Sequence, residues 1–134
     1  MATNELQDPG NGEKLADSAC WSVENRSAAA GTASVSRAAA GAGVCNVLKG
    51  FVASIAAGAA AQTPITFVVR DGATGVGTVI FSGVLAAPTN TAANVAISDL
   101  NIKGSANTAM TIEFTGAGTA NTLQAVAMSG LVSV

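Results

Sequence analysis

Histidine and tyrosine are absent from the 134-residue chain, tryptophan occurs once and phenylalanine four times. Without an imidazole there is no His ligand for a metal and no His base for a Ser or Cys nucleophile. The two cysteines, Cys20 and Cys45, lack CxxC spacing, which excludes a zinc finger. A disulfide between them requires that adjacent strands bring them together; buried free thiols are the expected state in a reducing cytosol. Charged residues make up 10% of the chain, against about 25% in ordinary soluble domains. The six basic residues, Lys14, Arg26, Arg37, Lys49, Arg70 and Lys103, are scattered, and the net charge is −2. Nucleic acid is therefore not an expected partner. The opening MATNELQDPG has neither a basic nor an apolar signal region, so no secretory signal is expected. That leaves the sequon Asn25-Arg26-Ser27 without a role. The longest low-polarity run, residues 50–61, is mostly Ala and Gly and is shorter than a membrane span, so no membrane is expected either.

What the chain has is alanine and short polar residues. Hydrophobic residues reach 49%, but alanine contributes little area, and aromatics are 4%. Burial yields only about 25 cal/mol per Å², so a core of Ala, Val, Ile and four Phe is thin for a single domain. Extra stabilisation is expected from association with copies of itself, as a dimer or trimer, or with another protein. Charge is also uneven. Residues 1–24 carry net −4 and residues 25–134 net +2. Residues 1–18, with Pro9, Gly10, Asn11 and Gly12, read as an extended arm with a short helical turn near residues 13–16. Two uses of the arm stay open: docking on a neighbour through charge, or a solvated tail. Its candidate interface residues are Leu6, Asp8, Leu15 and Asp17, with Trp21 just beyond.

Residues 19–134 read as one β-sandwich. The stretch 64–85, PITFVVRDGATGVGTVIFSGVL, sets the pattern. Ile65, Phe67 and Val69 alternate with Thr66, Val68 and Arg70. Val79, Phe81 and Leu85 alternate with Thr78, Ile80 and Ser82. Asp71-Gly72-Ala73-Thr74-Gly75 between them is turn chemistry, so a hairpin is predicted. Before it come a short strand over 19–24 and another over 29–38. A turn at Gly41-Ala42-Gly43 precedes a long strand over 44–56. There Cys45, Val47, Phe51, Ala53 and Ile55 share a face, and Lys49 interrupts it at a bulge or an edge. Residues 57–63 allow a helical turn. After the hairpin, a strand is expected over 94–102 with a bulge near Asp99. A turn over 103–107 leads to a strand over 108–115 with Met110, Ile112 and Phe114 inward. A closing strand covers 122–134. About eight antiparallel strands with regular turns predict an all-β sandwich, a jelly roll being the natural eight-stranded form.

No arrangement of residues carries catalysis. Gly41-x-Gly43 lacks the third glycine of a dinucleotide fingerprint and any βαβ unit around it. Gly72-x-x-Gly75-x-Gly77 lacks the Lys-Ser/Thr of a P-loop. Asp71 falls in a turn, bonding its own backbone, and Glu113 points outward from a strand, so neither builds a glycosidase pair with Asp99. The loop 88–94 is rich in oxygen but poor in carboxylates for Ca²⁺. Trp21 reads as a core or arm-packing residue before a ligand platform. The chain is not expected to be an enzyme or to need a cofactor or metal.

The segments RDGATGVGTVIFSG (70–83), ISDLNIKGSANTAMTIEF (97–114) and GTANTLQAVAMSG (118–130) resemble small virion proteins of tailed bacteriophages. The likeness is to capsid cement, or decoration, proteins with a jelly-roll-like fold, and it spans roughly residues 44–134. It implies an oligomer on the outer capsid surface, made in the host bacterial cytoplasm. There it would clamp neighbouring capsomers of the major capsid protein against internal pressure. An alternative is another virion component, such as a receptor- or carbohydrate-binding sandwich of a tail or fibre.

Overall fold

A computed structural model describes residues 6–7, 14–15 and 20–134 of the chain. Two short strands, β1 (Leu6–Gln7) and β2 (Lys14–Leu15), pair antiparallel, with Leu6 opposite Leu15. Lys14 and Leu15 thus lie in a strand rather than in the helical turn that the sequence predicts. Asp8, Asp17 and the rest of the arm lie outside the described residues.

The remaining strands are β3 (Cys20–Arg26), β4 (Ser34–Arg37), β5 (Cys45–Ala56), β6 (Gln62–Asp71), β7 (Thr78–Ala87), β8 (Ala92–Ile97), β9 (Ile102–Ala106), β10 (Met110–Phe114) and β11 (Leu123–Ser133). They form two antiparallel sheets. One runs β4-β10-β6-β7; the other runs β3-β11-β5-β8, with β9 continuing beside β5. Counting β8 and β9 as one interrupted strand gives eight strands in two four-stranded layers. Each Greek-key crossing passes between layers, which is jelly-roll connectivity. All described pairings are antiparallel. No helix among the described residues is long and apolar enough to cross a membrane.

The layers enclose a single core. All four phenylalanines meet in it, Phe51, Phe67 and Phe114 buried and Phe81 partly so. Phe51 and Phe81 rings lie 4.9 Å apart between centroids, and Phe67 contacts the other three rings at 6.0–6.2 Å. Tilted, edge-on and stacked pairs of this kind add to simple burial. The inward sets Ile65/Phe67/Val69 and Met110/Ile112/Phe114 are as the alternation predicts.

Three bulges change other expectations. In β5, Gly50 pairs with Ser129 but Leu48 with Gly130, so Lys49 is the extra residue and the side-chain phase flips there. Leu48 and Asn46 face inward; Cys45 and Val47, although buried, fall on the opposite face from Phe51. The strand is central, not an edge. In β7, Phe81 pairs with Val69 and Val79 with Arg70, so Ile80 is extra. Ile80 packs on the core and Val79 is exposed, the reverse of simple alternation. The third bulge, in β6 between Gln62 and Ile65, admits Pro64, where a ladder N–H is not needed.

Four boundaries also move. The strand expected over 29–38 shrinks to Ser34–Arg37, because Ala30 takes a positive φ of 57° in a turn. The helical turn expected over 57–63 is absent; an irregular stretch leads into β6, which starts at Gln62. The single strand expected over 94–102 is broken at Asp99, whose φ is 58°. The expected turn 103–107 belongs mostly to β9, which resumes the pairing with β5 beyond the Lys49 bulge.

Candidate functional site

Few side chains are placed for chemistry. Glu113 does point away from the core, yet it is buried, because the loop 72–77 folds back over the sheet. Its Oε1 accepts from Arg70 Nε at 2.5 Å and from the Gly75 amide at 3.1 Å, while Arg70 Nη1 donates to the Gly77 carbonyl. Asp71 accepts from the amide and hydroxyl of Ser105, not from its own turn, and so ties the hairpin to β9. Asp99 is exposed on the bend between β8 and β9. Glu113 and Asp71 are thus fasteners. Among the described residues no three His, Cys, Asp or Glu side chains gather as metal ligands would. Cys20 is exposed and Cys45 buried, both free, with β11 lying between their strands. The expectation of a buried thiol therefore fails for Cys20.

Buried amides that sequence reading passed over hold the loops. Gln124 accepts from the Ala33 amide and donates to the Gly116 carbonyl. Gln62 accepts from the Thr119 amide, and Asn46 donates to the carbonyls of Ala38 and Thr108. Each is polar at a position where a strand pattern alone expects either solvent or an aliphatic side chain, so no sequence signal distinguishes them.

What remains available for function is surface. The outer face of the β3-β11-β5-β8 sheet is built in register rows. Ser22, Ser129 and Gly50 form one; Glu24, Ala127, Val52 and Ala96 the next; Arg26, Ala125, Ser54 and Asn94 a third; Leu123, Ala56 and Ala92 the last. Nearly every side chain in these rows is small, and their two charges lie on β3; Lys49 at the bulge and Lys103, opposite Val47, stand beyond them toward β9. Two shallow troughs of about 340 and 260 Å³ run over these rows. Val52 and Leu123 are exposed within them. Such a face allows a partner to approach close to the strands over several rows.

The two flanks of the sandwich differ. On one, β3 and β4 are bridged: Asn25 Nδ2 donates to the Ser34 carbonyl at 2.9 Å. Trp21 is buried, its indole donating to the Leu131 carbonyl, and the Arg37 guanidinium lies 5.9 Å from the ring centroid. Trp21 therefore faces the sandwich interior. Its ring lies where a side chain on Gly130 would be: a Cβ there would stand 2.5 Å from Trp21 Cζ2. On the other flank run β7 and β8, and the whole stretch 78–97 contains no charged residue. Val79 and Val84 are exposed there.

No protein-family model matches the chain, and no curated protein matches it. Among solved structures, the tobacco streak virus coat protein aligns at a TM-score of 0.36 and 9% identity, covering 87% of this chain and 88% of that one. A structure described as Bacillus endospore appendages that form disulfide-linked pili aligns at 0.26 and 17% identity, covering 95% and 98%. Neither likeness is close enough to argue from.

Proposed function

We propose that this chain is a structural protein of a tailed-phage virion that binds the outside of the head and cements neighbouring capsomers of the major capsid protein. The observation that carries the reading is the run of rows from Ser22–Gly50 to Leu123–Ala92 on the outer face of the β3-β11-β5-β8 sheet, lined by small side chains with its two charges on β3. A surface of this kind suits close packing against another protein and offers no group for turnover. The segments that resemble decoration proteins fall on the β6–β7 hairpin, on the run from β8 to β10 and on β11. They therefore include strands of both layers. The acidic arm adds a second point of attachment, which raises occupancy through effective concentration. A sugar- or receptor-binding role would call for an exposed aromatic platform, whereas Trp21 and the four phenylalanines turn into the core.

The test is binding to shells lacking the protein. Purified full-length chain should co-sediment with them at saturating stoichiometry and raise the temperature at which they rupture. Val52→Glu together with Ala127→Glu, on the outer face, should abolish co-sedimentation without loss of fold. Deleting residues 1–18 should leave the sandwich folded and weaken retention at raised salt. Failure of the intact protein to bind any head, or location of the chain on the tail by imaging, would sink the reading.

A further inference from the structure

We infer that β7 is a docking edge for β7 of a second copy of this chain, the two pairing antiparallel about a two-fold axis so that their β4-β10-β6-β7 sheets become one. This goes beyond capsid binding and stands on the edge geometry alone.

The first support is the direction of the backbone groups. The Thr115 amide donates to the Thr66 carbonyl, so Thr66 turns its backbone groups toward β10. Alternation then turns those of Ile65, Phe67 and Val69 toward β7, onto Leu85, Gly83 and Phe81, their register partners. The intervening residues Ser82, Val84 and Ala86 aim N–H and C=O away from β6. None of these groups has a backbone partner among the described residues. The regular part of this edge, beyond the Ile80 bulge, is an open ladder, and what fits it is another extended backbone.

The second support is what the edge omits. Natural edges are blunted by charge, proline, short length, a bulge or a covering group. β4 has four residues and a bridged Ser34 carbonyl, and β3 carries Glu24 and Arg26. β7 is long, proline-free and uncharged; its bulge at Ile80 lies near one end and leaves the run from Phe81 onward regular, with Val84 62% exposed.

The third support concerns the occupant. A strand entering here must be extended and must not bring a charge onto an uncharged, valine-bearing edge. β7 itself meets both conditions. An antiparallel strand is also its own complement about a two-fold axis, so pairing closes at two copies. Like charges never come opposite one another, because the stretch has none. With the axis at Gly83, Ser82 of each copy faces Val84 of the other.

The mass of the full-length protein in solution, without any shell, tests this, so its outcome is independent of the capsid reading. Sedimentation velocity of the wild type should show a dimer that dissociates on dilution. Val84→Pro removes an N–H aimed outward and no ladder bond within the chain, and should give the monomer mass with an unchanged circular dichroism spectrum. Val84→Lys should do the same by placing charge at the joint, and serves should the proline variant misfold. Ser82→Cys with Val84→Cys should form an intermolecular disulfide under mild oxidation. A wild type monomeric at every concentration, a V84K form that stays dimeric, or open-ended growth through this edge would overturn the inference.

Discussion

On the β3–β4 flank, Asn25 reaches across to the Ser34 carbonyl, Arg37 lies near the Trp21 ring, and Glu24 and Arg26 place charge along the edge. On the β7–β8 flank, twenty consecutive residues pass without a charge, and Ser82, Val84 and Ala86 present a ladder without a backbone partner among the described residues. Both flanks belong to one sandwich and share one core. The difference teaches where the chain has been closed against neighbours and where it has not. Closing an edge takes specific side chains at specific positions; among the described residues they lie on the β3–β4 side, and the other side has only the Ile80 bulge.

The largest test of the closed flank is Trp21→Ala. It empties a buried indole, loses the bond to the Leu131 carbonyl and exposes Arg37. The expected cost is about 3–5 kcal/mol, the usual range for an aromatic core site. Phe67→Ala and Phe114→Ala, at the centre of the core, should cost about the same. Denaturant melts of the three variants check this. A small effect at Trp21 with large effects at the phenylalanines would show that the flank is closed by the hydrogen bonds rather than by the ring.

Glycines sharpen the comparison further. A Cβ on Gly130 would stand 2.0 Å from the Val47 carbonyl oxygen, a backbone atom that cannot turn away. On the open flank a Cβ on Gly83 would meet the Phe67 ring at 2.6 Å. Gly130→Ala should therefore reach or exceed the top of the range of about 1–3 kcal/mol for overpacking, and Gly83→Ala should fall within it. Equal melting midpoints would mean that the closed flank yields as readily as a side chain does.

Period-two alternation makes much of this fold legible. It places the hairpin, the inward faces of β6 and β10 and the single all-β domain, because those strands have one face on the core. It fails wherever a bulge inverts the phase. Lys49 is readable as an interruption, since a lysine amid aliphatics breaks an otherwise buried face, but the flip that puts Leu48 inside and Val47 outside needs the partner strand. Ile80 carries no such signal, being apolar on either face. Glu113 is legible as outward from alternation alone. Its burial is invisible in sequence because the covering loop, 72–77, acts through tertiary contact with Arg70. The candidate surface is legible only as a low charge content. Which residues share a face depends on β11 lying between β3 and β5, a pairing between positions about a hundred residues apart in sequence for β3, and local pattern does not reveal it.

Asn25→Ala opens the bridged edge at its exposed hydrogen bond. It should cost about 0.5–1.5 kcal/mol, the net worth of one such bond, and leave Trp21 in place. If the bond's role is also to keep strands from adding to β4, the variant should gain a weak tendency to self-associate that adding Ser34→Pro, which takes the outward N–H from the same edge, abolishes. A variant that melts lower but stays at the wild-type mass would assign the bond to stability alone.

The smallest expected effect on folding is the most telling for the open flank. Val84 projects from an edge strand with more than half its surface in solvent, and its backbone groups face away from β6. Val84→Lys removes no core contact and no ladder bond within the chain. Its unfolding free energy, measured where the wild type is monomeric, should stay within about 0.5 kcal/mol, as for surface changes in general. At higher concentration the two proteins should diverge, because only the wild type gains stability from association, and its midpoint should rise with concentration while that of the variant stays flat. Matching, concentration-independent midpoints for both would mean that the uncharged flank is merely tolerated, and that the contrast between the flanks has no consequence for assembly.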